Sequence, residues 1–412
     1  MFVCPLTGAA PSLAAGPDER VDSSVSRAKV LIVGDDRECR DRIARHLCEA
    51  GFGMIEAAET VAGGLDAARA WQPELVITAW PTSDRESLVL CSRMRADPRV
   101  SSIPVIVQAD LRDPRDRLEL FAAGVTDVIT LSADRHELVN RVRNYIEQHR
   151  LVARLSEYQR RVDEDLRYAS SMQESILPNA LEVERLKLRY PMALSAYYAP
   201  SHGLGGDFWG AEAVDGHGLR LYSADFAGHG VAAALNTFRL HALISQISGE
   251  IRDPAAWLTY LNTALCDLLP TGQFATMFCG LFDFSTSTLT YAAAAAPSPL
   301  VLSGGVDAGF RNLDGTGFPL GVTRDATYQN HVVPFGPGST LIQYSDALIE
   351  TPSVENPAFT VETLCTFLDT LKDERVVDVY EKALLTELGR RSWLKPADDL
   401  TIVTLRHVGD ER

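Results

Sequence analysis

The sequence predicts a multidomain chain. An α/β, doubly wound, five-strand domain comes first, then a long helix, then an α+β layered domain rich in strands. Three observations predict it. Residues 29 to about 150 alternate short apolar runs with amphipathic stretches. Residues 133–177 contain neither proline nor glycine. Residues 190–408 are dominated by strand-like runs with helical patterns set between them. Regular alternation is the mark of a parallel sheet covered on both faces, and strands with segregated helices mark an α+β fold.

In chain order, residues 1–27 are rich in Ala, Pro, Ser and Gly and lack a basic start followed by a long apolar stretch. They predict a disordered leader, not a secretory signal. Strands are predicted at Lys29–Val33, Gly53–Ala57, Leu75–Thr78, Ile103–Val107 and Asp127–Thr130, with helices such as Arg40–Ala50 and Arg85–Arg95 between them. Ligands of such sheets sit at the carboxyl ends of strands, where Asp35 and Asp36 fall. From Ala133 to Leu177 one helix is predicted. Leu138, Val142, Tyr145, His149 and Val152 follow a 4-3-4-3 spacing, and Leu155, Tyr158, Val162 and Leu166 continue it after a phase slip. That stripe suits a coiled-coil dimer seam or packing on its own domain; Pro178 ends the helix. Beyond it, strands are predicted at Leu219–Ser223, Met277–Phe282, Leu289–Ala293, Thr340–Tyr344 and Leu400–Leu405, and helices at Val231–Ile247 and Pro254–Leu268. The expected domains are 1–27, 28–132, 133–178 and 179–412.

The chain has 412 residues, 46% hydrophobic and 23% charged, enough for two or three domains with real cores. Its net charge of −16 repels phosphate backbones and anionic lipid, so neither nucleic acid nor a membrane is an expected partner. Seven scattered cysteines with no CxxC spacing fit reduced core thiols, and a cytoplasmic location is expected.

Four segments of the last domain carry candidate chemistry: Gly205-Gly-Asp-Phe-Trp209, Ala224-Asp-Phe-Ala-Gly-His-Gly230, Tyr344-Ser-Asp-Ala-Leu-Ile-Glu350 and Ala397-Asp-Asp-Leu-Thr-Ile-Val403. Each places an aspartate beside a strand, next to glycine, another small residue or a second aspartate. Alone, any of them suits a turn or a cap. Together, rigid carboxylates at strand ends can hold hard cations, and paired cations can activate a water against a phosphoryl group.

In this order and spacing the four segments resemble the PPM-type (type-2C) protein phosphatases of the SpoIIE and RsbU branch. The resemblance runs over about residues 168–408 and includes Gln173-Glu-Ser-Ile-Leu-Pro178 and Phe318-Pro-Leu-Gly-Val322. It implies a β-sandwich flanked by helices and two Mn2+ or Mg2+ ions. Asp207 and Asp225 would bridge the metals and form the catalytic pair. The Phe226 carbonyl, Asp346 and Asp398 would be further ligands, with Asp399 the lesser choice within its pair. Gly228 and Gly230 would allow a tight turn before a helix. His229 would be a general acid or a structural histidine.

Residues 28–150 resemble two-component receiver domains in the run Lys29-Val-Leu-Ile-Val-Gly-Asp-Asp36 and in their later strands. Ala79 stands at the phosphoacceptor position, Ala109 in place of Thr or Ser, and Leu131-Ser132 in place of Lys-Pro. Without nucleophile and cation, the Asp35–Asp36 pair is expected to be non-functional, and neither Asp84 nor Asp110 is expected to substitute. Within the phosphatase resemblance, Ala347 replaces Gly, Ala294-Ala-Ala-Pro297 replaces AGH-P, and Ser339 replaces a common Asp.

The implied function is a serine/threonine phosphatase acting on a STAS-type anti-anti-sigma factor in a partner-switching pathway. An unknown protein would act on the receiver-like domain, and a homodimer would form through the linker helix. The alternative is a weak or inactive adaptor that binds a sigma factor or another regulator.

Overall fold

Short β-rich runs separated by helices of ten or so residues must cross over between parallel strands, and the first unit is built that way. A computed structural model describes residues 2–3, 23–79, 86–110, 114–201, 203–214, 218–247, 249–304, 309–350, 359–390 and 398–409. The chain divides into two units, Met1–Arg161 and Val162–Arg412.

The first unit contains β1 (Phe2–Val3), α1 (Ser23–Ser26), β2 (Lys29–Val33), α2 (Arg37–Glu49), β3 (Met54–Ala58) and α3 (Val61–Trp71). It continues with β4 (Leu75–Ala79), α4 (Glu86–Ala96), β5 (Val105–Gln108), α5 (Pro114–Ala122) and β6 (Asp127–Ile129), and then enters α6 (Arg135–Glu174). The sheet order is β1-β3-β2-β4-β5-β6, with β2 to β6 parallel. A strand buried on both faces must be apolar throughout, which explains the unbroken Val30–Val33 run. Val30 and Ile32 pack with Ile43, Leu47 and Val142 on one face. Leu31 and Val33 pack with Leu65, Leu90 and Met94 on the other.

Two expectations change here. The composition of residues 1–27 predicts a disordered leader, yet Phe2–Val3 pairs antiparallel with β3 and Ser23–Ser26 forms a helical turn. An unpaired β3 edge offers hydrogen bonds to any extended segment, and two residues suffice to take some. Residues 4–22 lie outside the described residues. The helical stripe is also divided. Leu138, Val139, Val142 and Ile146 are buried in the first unit's core, so this part of the stripe packs on its own sheet and is no dimer seam. The exposed apolar positions begin further on, at Leu151, Val152, Leu155, Tyr158 and Val162. Val142→Asp would therefore bury an unpaired carboxylate, at a cost of several kcal/mol. The expected result is loss of the first unit's thermal transition with the second unit's retained, seen by calorimetry.

The second unit contains the end of α6, then α7 (Ala180–Arg189), β7 (Met192–Ala199), β8 (Asp207–Val214), β9 (Gly218–Phe226), α8 (Val231–Gln246) and α9 (Pro254–Leu268). It continues through β10 (Ala275–Asp283), β11 (Thr288–Ala294), β12 (Leu300–Leu302), β13 (Phe310–Asn312), β14 (His331–Pro334) and β15 (Thr340–Tyr344). Last come α10 (Ala347–Glu350), α11 (Val361–Asp369), α12 (Val377–Arg390) and β16 (Leu400–His407). Two five-stranded sheets form, ordered β14-β11-β10-β9-β8 and β13-β12-β15-β16-β7. Strand periodicity sorts the side chains between layers. Phe278 and Phe282 of β10 meet Leu341, Val403 and Leu405 between the sheets. Met277 and Cys279 turn the other way, onto Leu240, Trp257 and Leu261 of α8 and α9. On the far face, Ile342 and Ile402 pack against Leu364, Tyr380 and Leu384 of α11 and α12. The layers are thus helix, sheet, sheet, helix. More helices form than the sequence suggested. One of them, α7, buries no residue, and its start is fixed by an Asn179/Glu182 capping box.

Candidate active site

Strand register creates the site. In the β8–β9 ladder Asp207 stands directly opposite Asp225. Like charges in that position repel, so the pairing is unfavourable unless something offsets it. In the other sheet, Asp346 follows the end of β15, and Asp398 and Asp399 precede β16. The sheets are joined at this end by Thr401, whose hydroxyl donates to the Asp207 carboxylate at 2.6 Å. Ser345 knits the two acidic segments of the second sheet together. Its Oγ donates to the Asp399 carbonyl at 2.9 Å and accepts from the Thr401 N–H at 2.9 Å, while its own N–H donates to the Thr401 carbonyl.

Asp399 is buried, and its carboxylate is committed to a loop. It accepts from the Ser201 N–H at 2.7 Å, the Ser201 hydroxyl at 3.1 Å and the Gly206 N–H at 2.6 Å. The two glycines before Asp207 follow from this crowding. A Cβ on Gly205 would lie 2.5 Å from an Asp399 oxygen, and one on Gly206 would lie 2.7 Å from the Phe226 carbonyl oxygen. Phe226 buries its ring in the core beside α8. After it, Gly228 and Gly230 take left-handed φ values of 94° and 77°, which only glycine adopts without strain, and α8 starts at once. His229 lies exposed in that turn.

The electrostatics are those of crowded carboxylates. Burial, then the Asp225 charge, raises the Asp207 carboxyl well above the usual range, against the hydrogen bond from Thr401. Burial, then the charges of Asp346 and Asp398, raises Asp225. Burial, then Glu350 and Asp398, pushes Asp346 up to about 6. Among the described residues' ion pairs, none joins these aspartates to a Lys or Arg. As placed, no three described carboxylates, histidines or cysteines stand close enough to grip one ion. The donors are all hard oxygens around a shared negative potential, the chemistry that suits Mg2+ or Mn2+.

The sequence did not indicate the part played by Gln173. Its side chain is buried at the end of α6. Nε2 donates to the Gly205 carbonyl at 2.6 Å and to the Thr237 hydroxyl at 3.1 Å, and Oε1 accepts from the Gly205 N–H at 3.1 Å. One amide thus holds both backbone groups of the residue two before Asp207. Nor does the sequence indicate the parts played by Ser345 and Thr401, although both stand inside the acidic segments.

At the other acidic pair, Asp36 caps α2 by accepting from the Glu38 and Cys39 N–H groups at 2.9 and 3.3 Å, and Asp35 is exposed. The buried Arg40 donates to the Gly34 and Asp35 carbonyls and to Glu59. Ala79 closes β4 opposite Gln108. Asp110 accepts from the Leu131 N–H at 3.0 Å, and Asp84 lies outside the described residues.

Comparison with known proteins agrees with this architecture. Residues 30–143 match the family model of the response regulator receiver domain, and residues 215–408 match that of stage II sporulation protein E, SpoIIE. The second match takes in Asp225, Asp346, Asp398 and Asp399 and begins just after Asp207. Phosphoserine phosphatase RsbP of Bacillus subtilis is 25% identical over 214 residues, covering 50% of this chain and 50% of that protein. Phosphoserine phosphatase RsbU of the same organism is 21% identical over 257 residues, covering 60% of this chain and 71% of that one. The DNA-binding dual master transcriptional regulator RpaA of Synechocystis sp. is 29% identical over 115 residues, 28% of this chain and 47% of that one. This chain spans about half the length of RpaA and RsbP. The SiaA-PP2C domain of Pseudomonas aeruginosa superposes with a TM-score of 0.53 at 24% identity, over 60% of this chain and 98% of that domain, which shows a shared fold. Within the described residues no helix is long and apolar enough to cross a membrane. The chain thus joins a segment that matches the response regulator receiver domain to one that matches SpoIIE.

Proposed function

We propose that residues 179–412 act as a metal-dependent serine/threonine protein phosphatase on a phosphorylated regulatory protein, a STAS-type anti-anti-sigma factor. One observation carries the reading. Asp207 and Asp225 face each other across a ladder at the buried end of two sheets, with Asp346 and Asp398 as their electrostatic neighbours. Such an arrangement is costly in itself and is offset when a cation binds. The names of RsbP and RsbU, both phosphoserine phosphatases, point the same way.

In this reading Asp207, Asp225, Asp346, Asp398 and the Phe226 carbonyl hold two Mn2+ or Mg2+ ions. Bound there, such ions polarise a phosphoryl oxygen and lower the pKa of a water. Thr401 orients the Asp207 carboxylate by its hydrogen bond. Asp399 shapes the Ser201–Gly206 loop instead of serving as a ligand. His229, exposed in the turn, can protonate the departing serine or threonine oxygen. The departures from the family pattern leave these oxygens in place. Ala347 is buried at the start of α10, and the Ser339 hydroxyl accepts from the Gly304 N–H at 3.0 Å. The receiver-like domain, 28–132, takes a protein input instead of a phosphoryl group. The 133–178 linker joins two copies through Leu155, Tyr158 and Val162, which are exposed at heptad spacing.

The test is hydrolysis of p-nitrophenyl phosphate and of a phosphorylated STAS-domain protein by the full chain, with Mn2+, with Mg2+ and with chelator. Turnover is expected with either cation and only background with chelator. Undiminished turnover in chelator would remove the two-metal reading. A second reading, a catalytically weak adaptor for a sigma factor or other regulator, is favoured by the spacing of the described Asp, Glu, His and Cys side chains, no three of which stand within reach of one ion. Stable binding of the phosphoprotein without turnover at saturating Mn2+ would select it.

A further inference from the structure

A cavity of about 270 Å³ opens in the first unit beside α6. Its floor is apolar. Ala28, Phe52 and Ile146 are buried, and Val25 and Leu151 complete the wall. Leu151 is 57% exposed although it lines a concave surface, which is unusual for a leucine without a partner. The rim is cationic. Arg143, Glu147, Arg150 and Arg154 lie along one face of the helix, at spacings of four, three and four.

The three arginines are not equivalent. Arg150 is neutralised by Glu74, to which it donates at 2.5 and 2.8 Å. Arg143 donates to the Ala50 carbonyl at 3.1 Å, which leaves its charge uncompensated. Arg154 makes no hydrogen bond or ion pair among the described residues. The lining keeps an excess of positive charge even with Glu74 and Glu147 set against it, on a chain whose net charge is −16.

We propose that this cavity binds a small amphipathic carboxylate, with its apolar tail against Phe52, Ala28 and Ile146 and its head at Arg143 and Arg154. An apolar cavity of about 150 Å³ can hold benzene, so this volume fits a single chain of about eight carbons. That lies just under the ~300–1,000 Å³ of drug-sized pockets and well short of a folded partner. A planar guanidinium offers paired donors to a carboxylate, and an apolar floor rejects inorganic anions. The ligand would touch the sheet-bearing body through Val25, Ala28 and Phe52 and α6 through Ile146 to Arg154. Binding would therefore tighten the grip of the body on this part of the helix. This gives the first unit an input that needs no phosphoacceptor. The binding stands independently of the phosphatase reading; only an effect on turnover would rest on it.

The test is calorimetric titration of the full chain with octanoate and phenylacetate, alongside octan-1-ol and octylamine. At least one carboxylate is expected to bind with one site per chain and to raise the melting temperature. The alcohol and the amine should bind at least about tenfold more weakly. The double variant Arg143→Gln/Arg154→Gln, at exposed positions, should weaken carboxylate binding about tenfold with an unchanged circular dichroism spectrum. Arg154→Gln alone should show a smaller loss. The proposal is overturned if neither carboxylate binds, if octan-1-ol binds as tightly, or if both variants bind like the parent chain.

Discussion

Asp225→Asn should lower metal-dependent turnover by about 10³-fold or more while leaving the fold intact. It should also make the protein more stable in chelator. Both effects come from one carboxylate. Asp225 sits opposite Asp207 in the ladder, and burial, then the charges of Asp346 and Asp398, raises its pKa. Removing its charge takes away a ligand and also a source of repulsion. The pH dependence has a definite sign. Asp207 and Asp225 have folded pKa values raised above the ordinary ~3.9, so the folded state favours their protonated forms. Their contribution to stability is full below the ordinary range and is lost as pH rises through the raised values. In chelator the parent chain should therefore melt at lower temperature as pH rises through that window, and the variant should lose less. Relief of about 1 kcal/mol corresponds to roughly 2–4 °C for a unit of this size. Scanning calorimetry across pH, with and without Mn2+, measures both curves. Parent-like turnover in the variant, or a variant less stable than the parent in chelator at neutral pH, would contradict the account.

Gln173→Leu should have the next largest effect. The amide satisfies both the N–H and the carbonyl of Gly205 and also reaches Thr237. Leucine fills a similar volume and leaves those buried groups without partners, at about 1–3 kcal/mol for each. The loop then loses one of its anchors, Asp399 being another, and Asp207 follows immediately. Turnover should fall about tenfold or more, and the Mn2+ concentration for half-maximal rate should rise. A purely structural role would lower the melting temperature and leave the metal titration unchanged. Metal-dependent rates measured over a range of Mn2+ separate the two.

Much of this was legible in the sequence, because strands buried on both faces must be apolar throughout and the acidic segments sit at their ends. Thr340–Tyr344 and Pro254–Leu268 have the bounds read from pattern alone. The stripe of α6 was less legible. Leu138 and Val142 keep the same spacing whether they face a second helix or their own sheet, and periodicity carries no information about the partner. The hydrogen bonds around the aspartates were less legible still. Nothing local marks Gln173, a polar residue near the end of a polar helix, as the holder of Gly205. The engagement of Asp399 with Ser201 depends on a sheet pairing that residue order does not display.

That last contact also constrains how the chain reaches its active form. Ser201 and Asp399 are 198 positions apart, Thr401 and Asp207 194. Both contacts require β16, which lies between β15 and β7 inside its sheet. Contacts of such separation form late, after the entropy of closing a long loop has been met. During synthesis the first three acidic segments emerge well before the fourth. Until β16 inserts, the Asp207 loop lacks its Asp399 anchor and the Asp207 carboxylate lacks its Thr401 donor. A nascent chain therefore carries the parts of the site without its geometry, and completion of one interior strand sets the moment at which the site exists.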